Sequence, residues 1–317
     1  MKISVDKLVA FCWALPLACV GLMLLPYAVA GDQQFYRGFY ENLPGLPLAQ
    51  GYAFYKNQLG TSEPGYFLLM YLLSPWLPKD VVIGFVNFVL YYHVFLWLRR
   101  QRVSLLFYPL LACNFYLMVL SFSAERVKLA LVFFLVGYSL RGVLRYLALG
   151  LSLVTQVQML LLLLGARVEG VLAVCRQLAR GRVGSGFVSL LLTLLGGLVL
   201  LLLLREHIAS KFSHYAGVWG GATALIKPLI FTAMTLLYAR GRIVEAFLVS
   251  LPMVVAAYFI GSERVVIFSY FVFMFYAAPY RRGLNLGVIA ASVFFAYGGI
   301  GFLRRMVEFG DGFAGIY

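Results

Sequence analysis

Apolar runs of about twenty residues follow one another almost from end to end of this chain, and that spacing constrains the fold more than any motif does. A helix needs about 20 mainly apolar residues to cross the hydrocarbon core of a bilayer, and only short polar breaks separate the runs. A water-soluble core has no use for such a sequence. Of the 317 residues, 63% are hydrophobic, and mean hydropathy is +0.91, well outside the range of a soluble domain of this length. The chain therefore reads as an all-α polytopic membrane protein, a single integral membrane domain over residues 1–317 with room for about eleven spans. The first run, Leu8 to Ala30, is too long for a signal-peptide core and reads as a retained helix.

Charge assigns the two sides. A formal net charge of +14 would suggest nucleic acid in a soluble protein; here the arginines sit between spans and set topology, so no nucleic-acid partner is expected. They cluster at Arg99, Arg100 and Arg102; Arg141 and Arg145; Arg176, Arg180 and Arg182; Arg240 and Arg242; and Arg281 and Arg282. The positive-inside rule places all five clusters, with Lys2 and Lys7, in the cytoplasm. The breaks at Ser121–Arg126, Thr155–Gln158, 205–225 and Gly261–Arg264 then face outward, together with most of the twelve acidic residues. Parity keeps 31–63 outside as an external loop and makes 64–78, interrupted by Pro75, a re-entrant or interfacial helix. The second long external loop is 205–225. Residues 144–174 read as two short helices meeting at Thr155–Gln158. Cys12, Cys19, Cys113 and Cys175 have neither disulfide nor metal spacing and read as small apolar packers, so no metal or other cofactor is expected.

The outward breaks carry the chemistry. Ser123-Ala124-Glu125-Arg126 and Ser262-Glu263-Arg264 each place a serine where an N-cap belongs, an acid in the first turn and an arginine just inside the helix. Free backbone N–H groups and the helix dipole join arginine in attracting an anion, and two such starts fit a diphosphate or carboxylate ligand. An arginine in a membrane helix costs about 2.5–3.5 kcal/mol on insertion scales, so it persists when paired or when lining a polar cavity. Simple caps and interfacial anchors would produce the same pattern. Arg205, Lys211, His214 and Tyr215 offer cations and rings for phosphate and sugar contacts, in a stretch that equally fits a solvated interfacial helix. Asp32 and Glu63 bound the first external loop. A carboxylate there can act as the general base that takes a proton from a sugar hydroxyl, or can merely end a helix. There is no GxxxxGK[ST], GxGxxG or Ser-His-Asp arrangement.

Asp32 followed by Tyr36, then Glu63-Pro64-Gly65-Tyr66, then Arg126 three residues after Ser123, then Arg264 before an aromatic-rich run, resembles the EpsG-like branch of the O-antigen polymerase (Wzy) family. Lys211-Phe212-Ser213-His214-Tyr215 is similar to that family's Lys-x-x-x-Tyr stretch. The chain departs from the family at Thr155-Gln156-Val157-Gln158, where relatives carry His followed by Ser; Gln158 keeps the ability to hydrogen-bond a sugar.

The resemblance implies a GT-C-like glycosyltransferase architecture in a bacterial inner membrane, with its site facing the periplasm and no metal requirement. Donor and acceptor would both be undecaprenyl diphosphate-linked glycans, and a chain-length regulator and a flippase would be partners. Arg126 and Arg264 would stabilise the leaving diphosphate, Glu63 or Asp32 would supply the base, and Tyr36, Glu125, Gln158 and Glu263 would line the substrate.

Charge placement predicts a cytoplasmic N-terminus and a periplasmic C-terminus. In a cysteine-free background, Gly181→Cys and Gly241→Cys should be shielded from an impermeant external thiol reagent. Strong external labelling at either would contradict the topology.

Overall fold

The computed structural model describes residues 4–182 and 221–315, with scattered positions between 184 and 205. Every regular element among them is helical. The helices are α1 (Val5–Leu24), α2 (Asp32–Glu41), α3 (Leu48–Leu59), α4 (Pro64–Leu73), α5 (Lys79–Arg100), α6 (Tyr108–Ala112) and α7 (Phe115–Phe122). They continue as α8 (Glu125–Ser139), α9 (Gly142–Thr155), α10 (Met159–Leu178), α11 (Ile226–Tyr238), α12 (Ile243–Ile260), α13 (Val266–Ala277) and α14 (Leu286–Phe309).

Among the described residues, four segments are long and apolar enough to cross a membrane: Val5–Tyr27, Lys79–Arg100, Ile243–Ile260 and Tyr280–Phe309. A fifth counts if α6 with its preceding turn and α7, bent by 51° at Asn114, form one broken span. Several apolar runs fold as helices too short to cross alone. At about 1.5 Å per residue, the 14 residues of α9 reach about 21 Å, against a hydrocarbon core of about 30 Å.

Contacts divide the chain into two compact units. One comprises Met1–Met159 with Arg281–Tyr317, the other Leu160–Tyr280. In the second, α11 packs on α12 and α13, and Glu245 joins α12 to α13 by accepting from the Tyr276 hydroxyl at 2.8 Å.

The first unit is organised around α1 against α5. Ala10, Ala14, Ala18 and Gly21 make a small-residue stripe along the buried face of α1, so the two backbones approach closely and gain dispersion contacts that lipid cannot supply. α5 also packs on α8, α8 on α9, and α14 on α7. Asn114 caps α7 by accepting from Tyr116 N at 3.0 Å, and Asn285 caps α14 by accepting from Val288 N at 3.0 Å.

Residues 31–63, expected as an external loop, form α2 and α3 with ordered connections. Phe39, Tyr55, Tyr66 and Phe67 are buried between α2, α3 and α4, with ring centroids of neighbouring pairs 5.2–6.3 Å apart. Such contacts give a short segment a core of its own. The ten residues of α4 are followed by a turn through Ser74, and the polar break at 156–158 does separate α9 from α10.

A Cβ at Gly299 of α14 would overlap the Cys113 carbonyl, whereas one at Gly298 would sit 3.6 Å from Phe115 in ordinary contact. Gly299→Ala should therefore cost about 1–3 kcal/mol through overpacking, and Gly298→Ala should be neutral within about 0.5 kcal/mol. Thermal unfolding in detergent distinguishes them; equal midpoints would contradict the packing described.

Candidate functional site

The aromatic block ends at a polar cluster that ties four parts of the first unit together. Glu63 occupies the N-cap position of α4 but makes no side-chain capping bond there. Its carboxylate turns instead toward other elements. Oε2 accepts from the Thr61 hydroxyl at 2.9 Å and from Arg126 Nη1 at 3.1 Å, and Oε1 accepts from the backbone N–H of Val157 at 2.9 Å. Only 1% of Glu63 is exposed.

The approach that permits the Val157 bond depends on Gly65. A Cβ there would lie 2.8 Å from both Cα and N of Thr155, so the start of α4 can meet the end of α9 only with glycine at this position.

Arg126, in the first turn of α8, also donates from Nε to the Tyr36 hydroxyl at 3.2 Å. Its side chain keeps 16% exposure and is where the cluster reaches the surface. Burial pushes the Tyr36 phenol above its ordinary range, with Arg126 opposing the shift. The Tyr55 phenol is raised by burial as well, with Arg126 close enough to oppose the shift. Both phenols thus stay neutral at physiological pH.

A second buried ion pair lies beside the first. Lys79 Nζ is 2.7 Å from Glu125 Oε1 and donates to Gln33 Oε1 at 2.7 Å, while the Tyr66 hydroxyl donates to Glu125 Oε2 at 2.6 Å. Lys128, fully buried, donates to the Ser121 carbonyl at 3.0 Å and is attracted by Glu125. The polar seam continues along α5, where Asn87 donates to Ser121 O at 3.2 Å and Tyr91 meets the Ser121 hydroxyl at 2.5 Å.

The next charge of α5 fastens the cluster from outside. Asp80 accepts from Arg37 Nη2 at 2.9 Å, and Arg37 also donates to the carbonyls of Leu25 and Ala28, clamping α2 to the end of α1.

Tyr36, Glu63, Glu125 and Arg126 are thus brought together, and the turn holding Gln158 joins them through the Val157 amide. Gln158 itself accepts from Gln156 at 3.0 Å. Asp32 opens α2 at the surface, close enough for its charge to help raise the Tyr36 phenol.

The remaining candidates belong to the second unit. Arg205 is exposed, and Glu263 is exposed and paired with Lys227. The backbone of Arg264 forms a single 3-10 turn with Ser262 and Glu263, and its side chain lies outside the described residues. Lys211, His214 and Tyr215 also lie outside them.

Two expectations need correction. Ser123 does not cap α8, whose N-cap position is Ala124 without a side-chain bond. Ser123 is already used as the C-cap of α7, two residues upstream. Ser262 falls inside the 3-10 turn, and its hydroxyl donates to Glu263 at 3.4 Å.

Lys79, Gln33 and Lys128 were missed, and Tyr66 was noted only as the end of the Glu63-Pro64-Gly65-Tyr66 motif. Lys79 follows Pro78 at a span boundary, where a lysine ordinarily faces water, and its burial depends on Gln33 and Glu125 arriving from distant segments. Lys128 follows Arg126 by two residues, and an unexplained cation inside an apolar run was the available signal. Among the described residues, no three His, Cys, Asp or Glu side chains converge as metal ligands do.

Comparison of the chain with protein-family models, curated proteins and solved structures gives no match. Function therefore has to come from the chemistry of the cluster and from the family pattern its residues resemble.

Removing one partner of a buried pair leaves the other charge uncompensated, at a cost of about 3 kcal/mol or more. Lys79→Met should show that loss in detergent unfolding, while Lys227→Met, in an exposed pair, should cost less than about 1 kcal/mol. Similar losses for both would contradict the buried network.

Proposed function

We propose that the protein polymerises undecaprenyl diphosphate-linked oligosaccharide repeat units, moving the growing glycan onto a lipid-linked acceptor at the periplasmic face of a bacterial inner membrane. The observation that carries this reading is the meeting of Tyr36, Glu63 and Arg126 at hydrogen-bond distance. These are three positions of the family pattern, up to 90 residues apart in sequence, and unrelated capping roles would not bring them together. The proposal includes the eleven-span, GT-C-like topology. Arg264, Lys211, His214 and Tyr215 enter it on resemblance alone.

The chemistry follows from what each group can exchange. Arg126 is held by Glu63 and Tyr36 and is partly exposed, so an incoming diphosphate can compete for its guanidinium. A planar fork matches phosphate oxygens in pairs, which a lysine ammonium cannot do. Once the diphosphate takes over Arg126, Glu63 loses its strongest electrostatic partner and becomes a better proton acceptor.

The freed carboxylate then takes the proton of the acceptor hydroxyl as that oxygen attacks the anomeric carbon. The bond from that carbon to the diphosphate breaks, its electron pair stays on the diphosphate oxygen, and Arg126 stabilises the charge that develops. The Tyr55 hydroxyl is a further donor within this buried region. Asp32 is the exposed first residue of α2, where a carboxylate favours the helix start.

A second reading draws on Lys79, Glu125 and Lys128, because ionisable groups buried among membrane helices also mark transport paths. Purified protein supplied with lipid-linked repeat units separates the two readings: a ladder of products on a gel identifies a polymerase, and transbilayer movement of unchanged substrate identifies a transporter. In the polymerase assay, Arg126→Lys should lower turnover at least about tenfold. Glu63→Gln should bind donor yet form no ladder. Parental laddering by Arg126→Lys and Arg126→Ala would refute the assignment.

A further inference from the structure

At the far end of α5 from Lys79, the first unit contains a second polar site with no place in the proposed chemistry. The 22 residues of α5 extend about 33 Å, so its two ends lie near opposite membrane surfaces. At the Arg100 end, a cavity of about 630 Å³ opens between the 99–105 turn, the start of α1 and the turn before α14. Four guanidiniums line it, from Arg99, Arg100, Arg102 and Arg282, and the one carboxylate lining it is Asp6. Asp6 is committed to Arg99, accepting from Nε at 3.1 Å and Nη2 at 3.0 Å. Arg100, Arg102 and Arg282 remain for a ligand.

The cavity is held in shape by its backbone. Ser104 N donates to the Arg282 carbonyl at 2.8 Å, joining the two turns. Arg102 and Arg282 both adopt left-handed backbone, with φ of 56° and 57°, which non-glycine residues rarely do.

The rim is apolar. Leu105 and Leu284 line the cavity with 45% of each exposed, and their neighbours Leu106 and Leu286 are 78% and 82% exposed. A ligand matching this surface carries a phosphate for the arginines and hydrocarbon for the leucines.

We infer that this cavity holds the phosphodiester headgroup of an anionic membrane phospholipid, its acyl chains lying against Leu105 and Leu284. Basic pockets between helices at the cytoplasmic surface are suited to such headgroups, and charge asymmetry assigns this end to the cytoplasm. The volume suits a small polar ligand.

Native mass spectrometry of the purified full chain in detergent tests the inference with three probes: dioleoylphosphatidylglycerol, dioleoylphosphatidylcholine and inorganic phosphate. Parent protein should retain phosphatidylglycerol in preference to phosphatidylcholine. The triple variant Arg100→Gln, Arg102→Gln, Arg282→Gln should retain at least tenfold less, and Arg304→Gln, on the exposed face of α14, should retain the parental amount. Because arginine loss can disturb insertion, Arg102→Lys with Arg282→Lys serves as the second variant. It keeps the charge, loses the planar fork, and should retain about threefold less. Equal retention of the two lipids, or parental retention by the glutamine and lysine variants, would overturn the inference. Phosphate binding that needs these arginines, without phosphatidylglycerol retention, would make the cavity a site for a soluble anion and overturn the lipid assignment.

Discussion

A carboxylate taken out of water costs several kcal/mol unless a cation and hydrogen-bond donors replace the solvent, and Glu63 is almost wholly buried. Its replacements come from three directions: the Thr61 hydroxyl, the Arg126 guanidinium and the Val157 amide. Each bond recruits a different segment, so meeting the demand of one side chain fixes α4, α8 and the α9–α10 turn together. Glu125 repeats the solution one step along, with Lys79 from α5 and Tyr66 from α4. The short helices between residues 31 and 73 could not be stable alone, and these two carboxylates, with the aromatic block above them, hold them on α5 and α8.

The same arrangement explains why the region suits exchange chemistry. A buried pair is costly to break by deletion, but an anion that takes the place of Glu63 on Arg126 replaces one favourable contact with another. Arg126 is partly exposed, so the exchange needs no opening of the aromatic block. The arginine cavity at the far end of α5 is built differently: Arg100, Arg102 and Arg282 are exposed, with a single carboxylate among the guanidiniums, as expected for a surface that meets anionic lipid.

Sequence and structure part company in a physically consistent way. The helical class and the polar break at Thr155–Gln158 were legible, because hydropathy is a local signal, and the arginine inside an apolar run that drew attention to Arg126 is paired with Glu63. Lys79 was not legible, since its burial depends on Gln33 and Glu125 arriving from elsewhere. The serine caps failed for a related reason: Ser123 has the right residue type, but the end of α7 claims it first. Apolar composition also does not reveal that a run such as α9 stops after 14 residues. The folding of residues 31–63 into helices was hidden too, since the rings that bury Tyr55 and Tyr66 come from three segments.

Everything proposed for the cluster requires Glu63 and Arg126 to act as one unit. A double-mutant cycle on unfolding free energy, with Glu63→Gln, Arg126→Gln and the double variant in one detergent, measures that coupling. It should be strong, with the double variant less destabilised than the sum of the singles by about 2–3 kcal/mol. Single effects that add to within about 0.5 kcal/mol would show two independent residues and contradict it.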